Sequence, residues 1–67
     1  MHDILITDRG AAALLRPLTL RGKKWAKQHI NYLHESEGAI VIDSFEIRDI
    51  AAAADKDDVR MRVNDES

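Results

Sequence analysis

The histidines are the first residues to test for metal or acid–base chemistry, because the 67-residue chain contains no cysteine. His29 and His34 are five residues apart, so they do not share a helix face as ligands four residues apart would. His2 is distant from both in sequence, and no zinc site with three ligands at a usual spacing follows. Without cysteine, a disulfide is excluded as well. We therefore expect no metal and no cofactor, and we expect His29 to be a partly buried histidine with one hydrogen bond.

The acidic run Asp55-Lys56-Asp57-Asp58 is the next candidate, because clustered carboxylates can bind calcium. An EF-hand loop needs oxygen ligands at positions 1, 3 and 5 and a glycine at position 6. Counted from Asp55, position 5 is Val59 and position 6 is Arg60, so the pattern fails. None of the serines lies in the G-x-S-x-G motif of serine hydrolases, and the three glycines form no phosphate-binding motif. The sequence therefore predicts a protein that is not an enzyme.

Charge is distributed unevenly along the chain. Residues 1–34 have a net charge of +4 and residues 35–67 a net charge of -6, which together give the overall -2. This split predicts either a dipolar surface that steers a charged partner or two halves that face each other and partly cancel. The candidate interaction residues are mostly charged: Arg21, Lys23, Lys24, Lys27, Tyr32, Asp55, Asp57, Asp58, Arg60 and Arg62.

The basic segment 21–27 is the strongest of these candidates, because its side chains could neutralise phosphates. The net negative charge argues against a dedicated nucleic-acid binder, and Trp25 lies on the apolar side of the predicted helix rather than among the lysines. Nucleic acid is therefore an alternative partner but not the favoured one. Tyr32 and Phe45 lie off the apolar stripes, where they either cover the rim of the core or anchor an interface.

The first 17 residues predict a β-hairpin. Residues 4–7 are a short β-prone run, and Asp8-Arg9-Gly10 suits a hairpin loop. Residues 11–16 are ambiguous, because alanine and leucine favour a helix whereas Pro17 holds Arg16 in extended geometry. A strand paired with the first is preferred, and a helix over residues 9–16 is the alternative.

Two amphipathic helices and an apolar strand follow. Thr19 is the predicted N-cap of a helix that ends near His34. The continuous apolar run 39–42 predicts a middle strand that is buried on both faces. Asp43 is the predicted N-cap of the second helix, with Glu46 completing a capping box and Ile42 and Ile47 forming a hydrophobic staple. Four alanines at 51–54 favour helix and could serve a contact between subunits, and the acidic run 55–58 ends this helix.

Residues 59–63 alternate strictly, which predicts an edge strand with Val59, Met61 and Val63 facing inward. Residues 64–67 are predicted to be a disordered tail. The order β-β-α-β-α-β predicts one small two-layer α+β domain over residues 1–63, with both helices on one face of a sheet of three or four strands. The predicted core comprises Trp25, Ile30, Leu33, Ile40, Ile42, Ile47 and Ile50.

Residues 17–50 also carry a set of motifs: Pro17-Leu18-Thr19, then Gly22 and Trp25, the strand Ala39–Ile42, and Ile47-Arg48-Asp49-Ile50. This arrangement resembles a group of short uncharacterised bacterial and phage-borne proteins with a PLT-x-x-G-x-x-W helix, an apolar strand and an I-x-D-I helix. The resemblance covers about half of the chain, and its motifs are structural. It implies a bacterial mobile-element origin and carries over no catalytic or binding residue.

The function predicted from these observations is a small non-enzymatic interaction protein that binds a protein partner or itself. A homodimer is one form of this hypothesis. Another form is an inhibitor of a host nuclease complex, of the anti-CRISPR or anti-restriction kind, that acts through the acidic C-terminal half. No run of apolar residues approaches the length of a membrane span, and the first residues lack the features of a secretory signal. We therefore expect a cytoplasmic protein with no membrane partner.

Overall fold

The computed structural model describes residues 2–30, 35–36 and 38–65 of the chain. Its elements in chain order are β1 (Ile4–Asp8), β2 (Ala12–Pro17), α1 (Leu20–His29), β3 (Glu35–Ser36), β4 (Ala39–Asp43), a 3-10 turn (Ser44–Glu46), α2 (Ile47–Lys56) and β5 (Met61–Asp65). Apart from the two-residue strand β3, this is the predicted order, and the α+β fold is confirmed. The strand reading of residues 11–16 is also confirmed, and the helical alternative is wrong.

The strands form one mixed sheet in the order β3-β4-β2-β1-β5. β1 pairs antiparallel with β2 as the predicted hairpin, β2 pairs antiparallel with β4, and β5 runs parallel to β1. The prediction that residues 39–42 form the middle strand is wrong, because β2 occupies that position. Ala39, Ile40 and Ile42 are nevertheless all buried. The continuous apolar run therefore indicated burial, but burial does not determine where a strand lies in the order of the sheet.

The core lies between the sheet and the two helices. Its buried side chains come from β1, β2, β4, both helices and the segment before β5: Ile4, Ile6, Ala13, Leu15, Trp25, Ala26, Ile40, Ile42, Ala54 and Val59. Three predicted core residues, Trp25, Ile40 and Ile42, are confirmed as buried. Three others are partly buried and pack against this cluster: Ile30, Ile47 and Ile50. Leu33 lies outside the described residues.

The first helix begins where the sequence predicts and ends earlier. Thr19 is its N-cap in extended geometry, and the Thr19 hydroxyl oxygen accepts a hydrogen bond from the backbone N–H of Gly22 at 3.1 Å. The prediction that the helix continues to about His34 is wrong, because Ile30 already has extended backbone angles. His29 and Ile30 both have low helix propensity, and residues 31–34 lie outside the described residues.

The start of the second helix also differs from the prediction. Asp43 precedes the 3-10 turn but makes no capping hydrogen bond with its side chain, and neither does Glu46. The predicted capping box is therefore wrong. The Ser44 hydroxyl instead donates to the carboxylate of Asp8 at 3.0 Å, so the turn is held by the β1–β2 hairpin. The predicted stop at 55–58 is confirmed, because α2 ends at Lys56 and Asp58 adopts a left-handed conformation with φ 61°.

The last strand lies at the edge of the sheet, as predicted, but two residues further along the chain. It begins at Met61 and runs through Asp65, into the segment expected to be a disordered tail; residues 66–67 lie outside the described residues. Val59 is buried and Met61 is partly buried against the core. Val63 also faces the helix side of the sheet, as predicted, since it pairs with Ile6 of β1. It is nevertheless 46% exposed, because it lies in an open groove at the start of α2.

Candidate functional site

One group of charged candidates, predicted on both halves of the chain, comes together between α1 and the turn after α2. The indole N–H of Trp25 donates to a carboxylate oxygen of Asp57 at 2.8 Å, and His29 Nε2 lies 3.3 Å from the same oxygen. The rings of Trp25 and His29 stack with centroids 4.7 Å apart. Arg21 reaches the backbone oxygen of Asp57 at 3.4 Å and the carboxylate of Asp58 at 4.0 Å. The basic helix and the acidic turn therefore face each other here.

A histidine beside an aspartate can act as a general base, but this pair is arranged for packing. The Asp57 carboxylate is shared between Trp25 and His29, and the imidazole is stacked on the indole. No described serine or threonine hydroxyl donates to His29, so the pair has no nucleophile to activate. We interpret this cluster as a tie between α1 and the end of α2. His29 was expected to be partly buried with one hydrogen bond; it is exposed, and its polar contact is the 3.3 Å approach to the Asp57 carboxylate.

A second junction, built on Asp3, was not predicted from the sequence. Its carboxylate accepts from the Thr19 hydroxyl at 2.7 Å and from the backbone N–H of Arg60 at 3.1 Å. Its backbone N–H donates to the Arg60 carbonyl, and its carbonyl accepts from Leu18 N–H, both at 2.7 Å. The hydrogen bond from Thr19, the one from the Arg60 backbone and the charge of Arg21 lower the pKa of Asp3 below its ordinary value of 3.8, because each favours the carboxylate. Asp3 thus joins β1, α1 and the start of β5.

The remaining lysine candidates lie on the outer side of α1. Lys23, Lys24 and Lys27 are all exposed, and no described residue forms an ion pair with any of them. They form a lysine face, which we define by these three residues. Arg21, the fourth basic residue of the segment, is turned instead toward the acidic turn.

The other predicted candidates are dispersed. Asp55 is exposed on α2, and the backbone of Arg60 is engaged by Asp3 while its side chain remains exposed. Arg62 lies on the opposite face of the sheet from the helices, where its Nε donates to the Asn64 side chain at 3.2 Å. Tyr32 lies outside the described residues. The ten predicted candidates therefore do not form a single site.

The most distinctive surface is a groove of about 590 Å³ beside the edge strand. Its lining includes Asp8, Ser44, Phe45, Arg48, Asp49 and Val63; we call it the Phe45 groove. Phe45 is 77% exposed and Val63 is 46% exposed. Phe45 does not belong to the core cluster, so the interpretation of this aromatic as a cover for the core's rim is wrong. The only signal in the sequence was its position off the apolar stripe of α2.

The turn that carries Phe45 is anchored on the residue before it. Ser44 donates its hydroxyl to Asp8 at 3.0 Å and its backbone N–H to the Ala11 carbonyl at 3.4 Å. The same Asp8 oxygen accepts from the backbone N–H of Gly10 at 3.0 Å, which closes the β1–β2 loop. Phe45 is therefore presented from a turn fixed to the hairpin, which lowers the entropy lost when a partner binds.

The adjoining strand has a free edge. β5 pairs with β1 on one side, and no other strand in the described part of the chain pairs with it. Its outer row of N–H and C=O groups is available to an incoming strand. The Phe45 groove and this edge share Val63, so they form one continuous surface.

Metal-binding clusters and membrane-spanning helices are both absent from residues 2–30, 35–36 and 38–65. No three histidine, aspartate or glutamate side chains in these ranges are grouped as a metal ion would require. No helix within the same ranges has the length and apolar character needed to cross a membrane.

Comparison with known proteins finds no family model, curated protein or solved structure that matches this chain. The resemblance of residues 17–50 to short bacterial and phage-borne proteins therefore stays a prediction. Function has to be inferred from the surfaces that this small α+β domain presents.

Proposed function

We propose that this protein is a small non-enzymatic protein-interaction module that binds its partner along the edge of β5 and in the Phe45 groove. The observation that carries the proposal is the 77% exposure of Phe45 on a turn that is held by hydrogen bonds to the hairpin. Aromatic side chains that enter a partner's pocket supply a large share of interface energy. An aromatic residue that contributes nothing to the core is available for that role.

The partner would bind by strand addition. A peptide segment that pairs with the outer edge of β5 gains backbone hydrogen bonds, and its alternate side chains meet the residues beside the strand. On the helix side of β5 those residues are Val63 and Phe45. Backbone pairing would supply affinity that does not depend on sequence, and the groove would supply selectivity.

The resemblance of residues 17–50 extends the proposal to a protein of bacterial or phage origin, and its proposed location is the cytoplasm. A narrower version is the inhibitor of a host nuclease complex that meets a basic channel with its acidic half. Asp55 and Asp58 are exposed, and Asp58 makes only a 4.0 Å contact with Arg21, whereas the Asp57 carboxylate is already shared between Trp25 and His29. This version therefore depends on Asp55 and Asp58.

Site-specific photo-crosslinking in bacterial cells tests the proposal. Benzoylphenylalanine replaces Phe45 in one variant and Leu20 in a control, because Leu20 is an apolar side chain on α1 that is 69% exposed. We expect protein adducts from position 45 and none, or far fewer, from position 20. Equal yields from the two positions, or no adduct at position 45, would refute the proposal.

Nucleic acid is a second candidate partner, favoured by the lysine face. Three exposed lysines with no ion-pair partner among the described residues can each neutralise a phosphate. Substitution of Lys23, Lys24 and Lys27 by alanine should then reduce the salt dependence of binding to a DNA or RNA oligonucleotide by about one unit for each lost contact. The absence of binding at low salt would exclude this function.

A further inference from the structure

We infer that the partner on this surface is a second copy of the same chain, joined antiparallel along β5 with Val63 on the two-fold axis. The inference rests on the proposed function and names its occupant. A symmetric pair would extend the sheet from one copy into the other, with the helices of both copies on the same side. It would bring Val63 and Phe45 of each copy against the same residues of the other.

The charges along β5 select this register. When two identical strands pair antiparallel, the helices of both copies lie on the same side of the sheet only if one residue of the strand lies opposite its own counterpart at the two-fold axis. In β5 that residue is Arg62, Val63 or Asn64. An axis at Arg62 places two guanidinium groups directly opposite each other, which is destabilising. An axis at Asn64 places Val63 opposite Asp65, so no apolar contact forms.

An axis at Val63 gives a favourable pair at the centre of each face of the extended sheet. Val63 then lies opposite Val63 of the other copy on the helix side. Arg62 lies opposite Asn64 of the other copy on the far side, and this guanidinium–amide combination already forms a hydrogen bond within one chain at 3.2 Å. A parallel arrangement of the two outer edges is excluded by geometry, because it requires a half-turn about the strand direction, which places the helices and Val63 of the two copies on opposite faces of the sheet.

The groove beside Val63 is complementary to itself in charge. Arg48 and Asp49 are both exposed and both line it. A two-fold axis at Val63 turns each groove toward its counterpart, so that Arg48 of one copy meets Asp49 of the other, twice by symmetry. A partner surface with only positive or only negative charge would leave either Arg48 or Asp49 unpaired, whereas a second copy pairs both.

The test uses the absence of cysteine from the natural chain. In Val63→Cys, the two sulfurs face each other across the axis, because directly opposed residues have Cα atoms about 4.5–5.5 Å apart, within the range of a disulfide. Lys24→Cys is the control, since Lys24 is also exposed but belongs to the lysine face of α1, and its substitution leaves the charges of β5 intact. We expect rapid disulfide dimerisation of Val63→Cys under mild oxidation and slow dimerisation of Lys24→Cys.

Sedimentation of the cysteine-free protein from micromolar to millimolar concentration supplies the second readout. We expect a concentration-dependent dimer that Phe45→Ser weakens at least about tenfold, with circular dichroism unchanged. A monomer throughout, or Lys24→Cys forming disulfides as fast as Val63→Cys, would overturn the inference. Adducts at position 45 that contain only other proteins would also overturn it while supporting the interaction module, and the absence of any adduct would remove both.

Discussion

Helix propensity and tertiary packing predict opposite effects of the substitution Gly22→Ala on stability. Gly22 lies inside α1, where alanine is favoured over glycine by about 1 kcal/mol. Propensity alone therefore predicts a stabilised protein. The structure predicts the opposite, because a methyl group at this position would overlap the backbone oxygen of Asp3 and lie 2.9 Å from its carbonyl carbon and 3.1 Å from Ile4 Cγ1.

The magnitude follows from what the methyl group would displace. Forcing a methyl group into a packed contact costs about 1–3 kcal/mol. Moving the Asp3 backbone also strains the hydrogen bonds that it makes with Leu18 and Arg60, at about 1 kcal/mol each. Against a propensity gain of about 1 kcal/mol, we expect a net loss of about 2–4 kcal/mol. A domain of this length has a free energy of unfolding of about 3–10 kcal/mol, so the variant should be marginally folded.

The assay is urea and thermal unfolding followed by the fluorescence of Trp25, the single tryptophan. At about 4–8 °C per kcal/mol for a domain of this size, the melting temperature should fall by at least about 8 °C. Gly10→Ala is the control, because Gly10 has φ +100° and no heavy atom near the added carbon; its cost of about 1–2 kcal/mol comes from backbone strain alone. If Gly22→Ala is as stable as the natural protein, α1 does not approach β1 as closely as described.

Two further substitutions test the junctions between elements. Trp25→Ala should lower the free energy of unfolding by about 3–5 kcal/mol and unfold much of the protein, as measured by circular dichroism. Trp25→Phe should cost less, because it keeps most of the packing and removes only the hydrogen bond to Asp57. Equal losses in the two variants would show that packing is not the main contribution of Trp25. Asp3→Asn should destabilise the protein at neutral pH, and the difference from the natural protein should shrink as the pH falls below 3.8, the ordinary pKa of the carboxyl group. The pKa of Asp3 is lowered in the folded state, so its carboxylate stabilises the fold above the unfolded-state pKa, and this stability is lost as the carboxylate is protonated. A difference in stability that stays constant in acid would show that the charge of Asp3 is not involved.

Local patterns predicted the elements well because their determinants lie close together in the sequence. The Thr19 cap needs only Gly22, three residues away, and the β1–β2 hairpin needs only a short loop. Pro17 was enough to decide between strand and helix for residues 11–16, because its steric effect acts on the residue directly before it.

The errors lie where distant residues decide the outcome. The predicted capping box at Asp43 lost to a hydrogen bond between Ser44 and Asp8, which are 36 residues apart. The junction at Asp3 joins residues 16 and 57 positions away. No window of sequence contains either pair, so neither could be predicted from spacing.

The candidate interaction residues were predicted from charge, and charge alone did not distinguish exposed groups from groups that hold the fold. Asp57 and Arg21 looked like surface charges and are engaged between α1 and the turn after α2. Phe45 was expected either to cover the rim of the core or to anchor an interface, and it is 77% exposed. Exposure depends on which elements pack together, and the sheet order that determines it was not readable from the sequence.

Arg62 connects the two properties that β5 must combine. A free edge strand invites pairing with any extended segment, and a charged side chain on the edge limits this. The same guanidinium discriminates among partners, because it disfavours every register that places a cation opposite it and accepts one that offers an amide or a carboxylate. Protection against unspecific strand addition and exclusion of the register centred on Arg62 therefore follow from one residue.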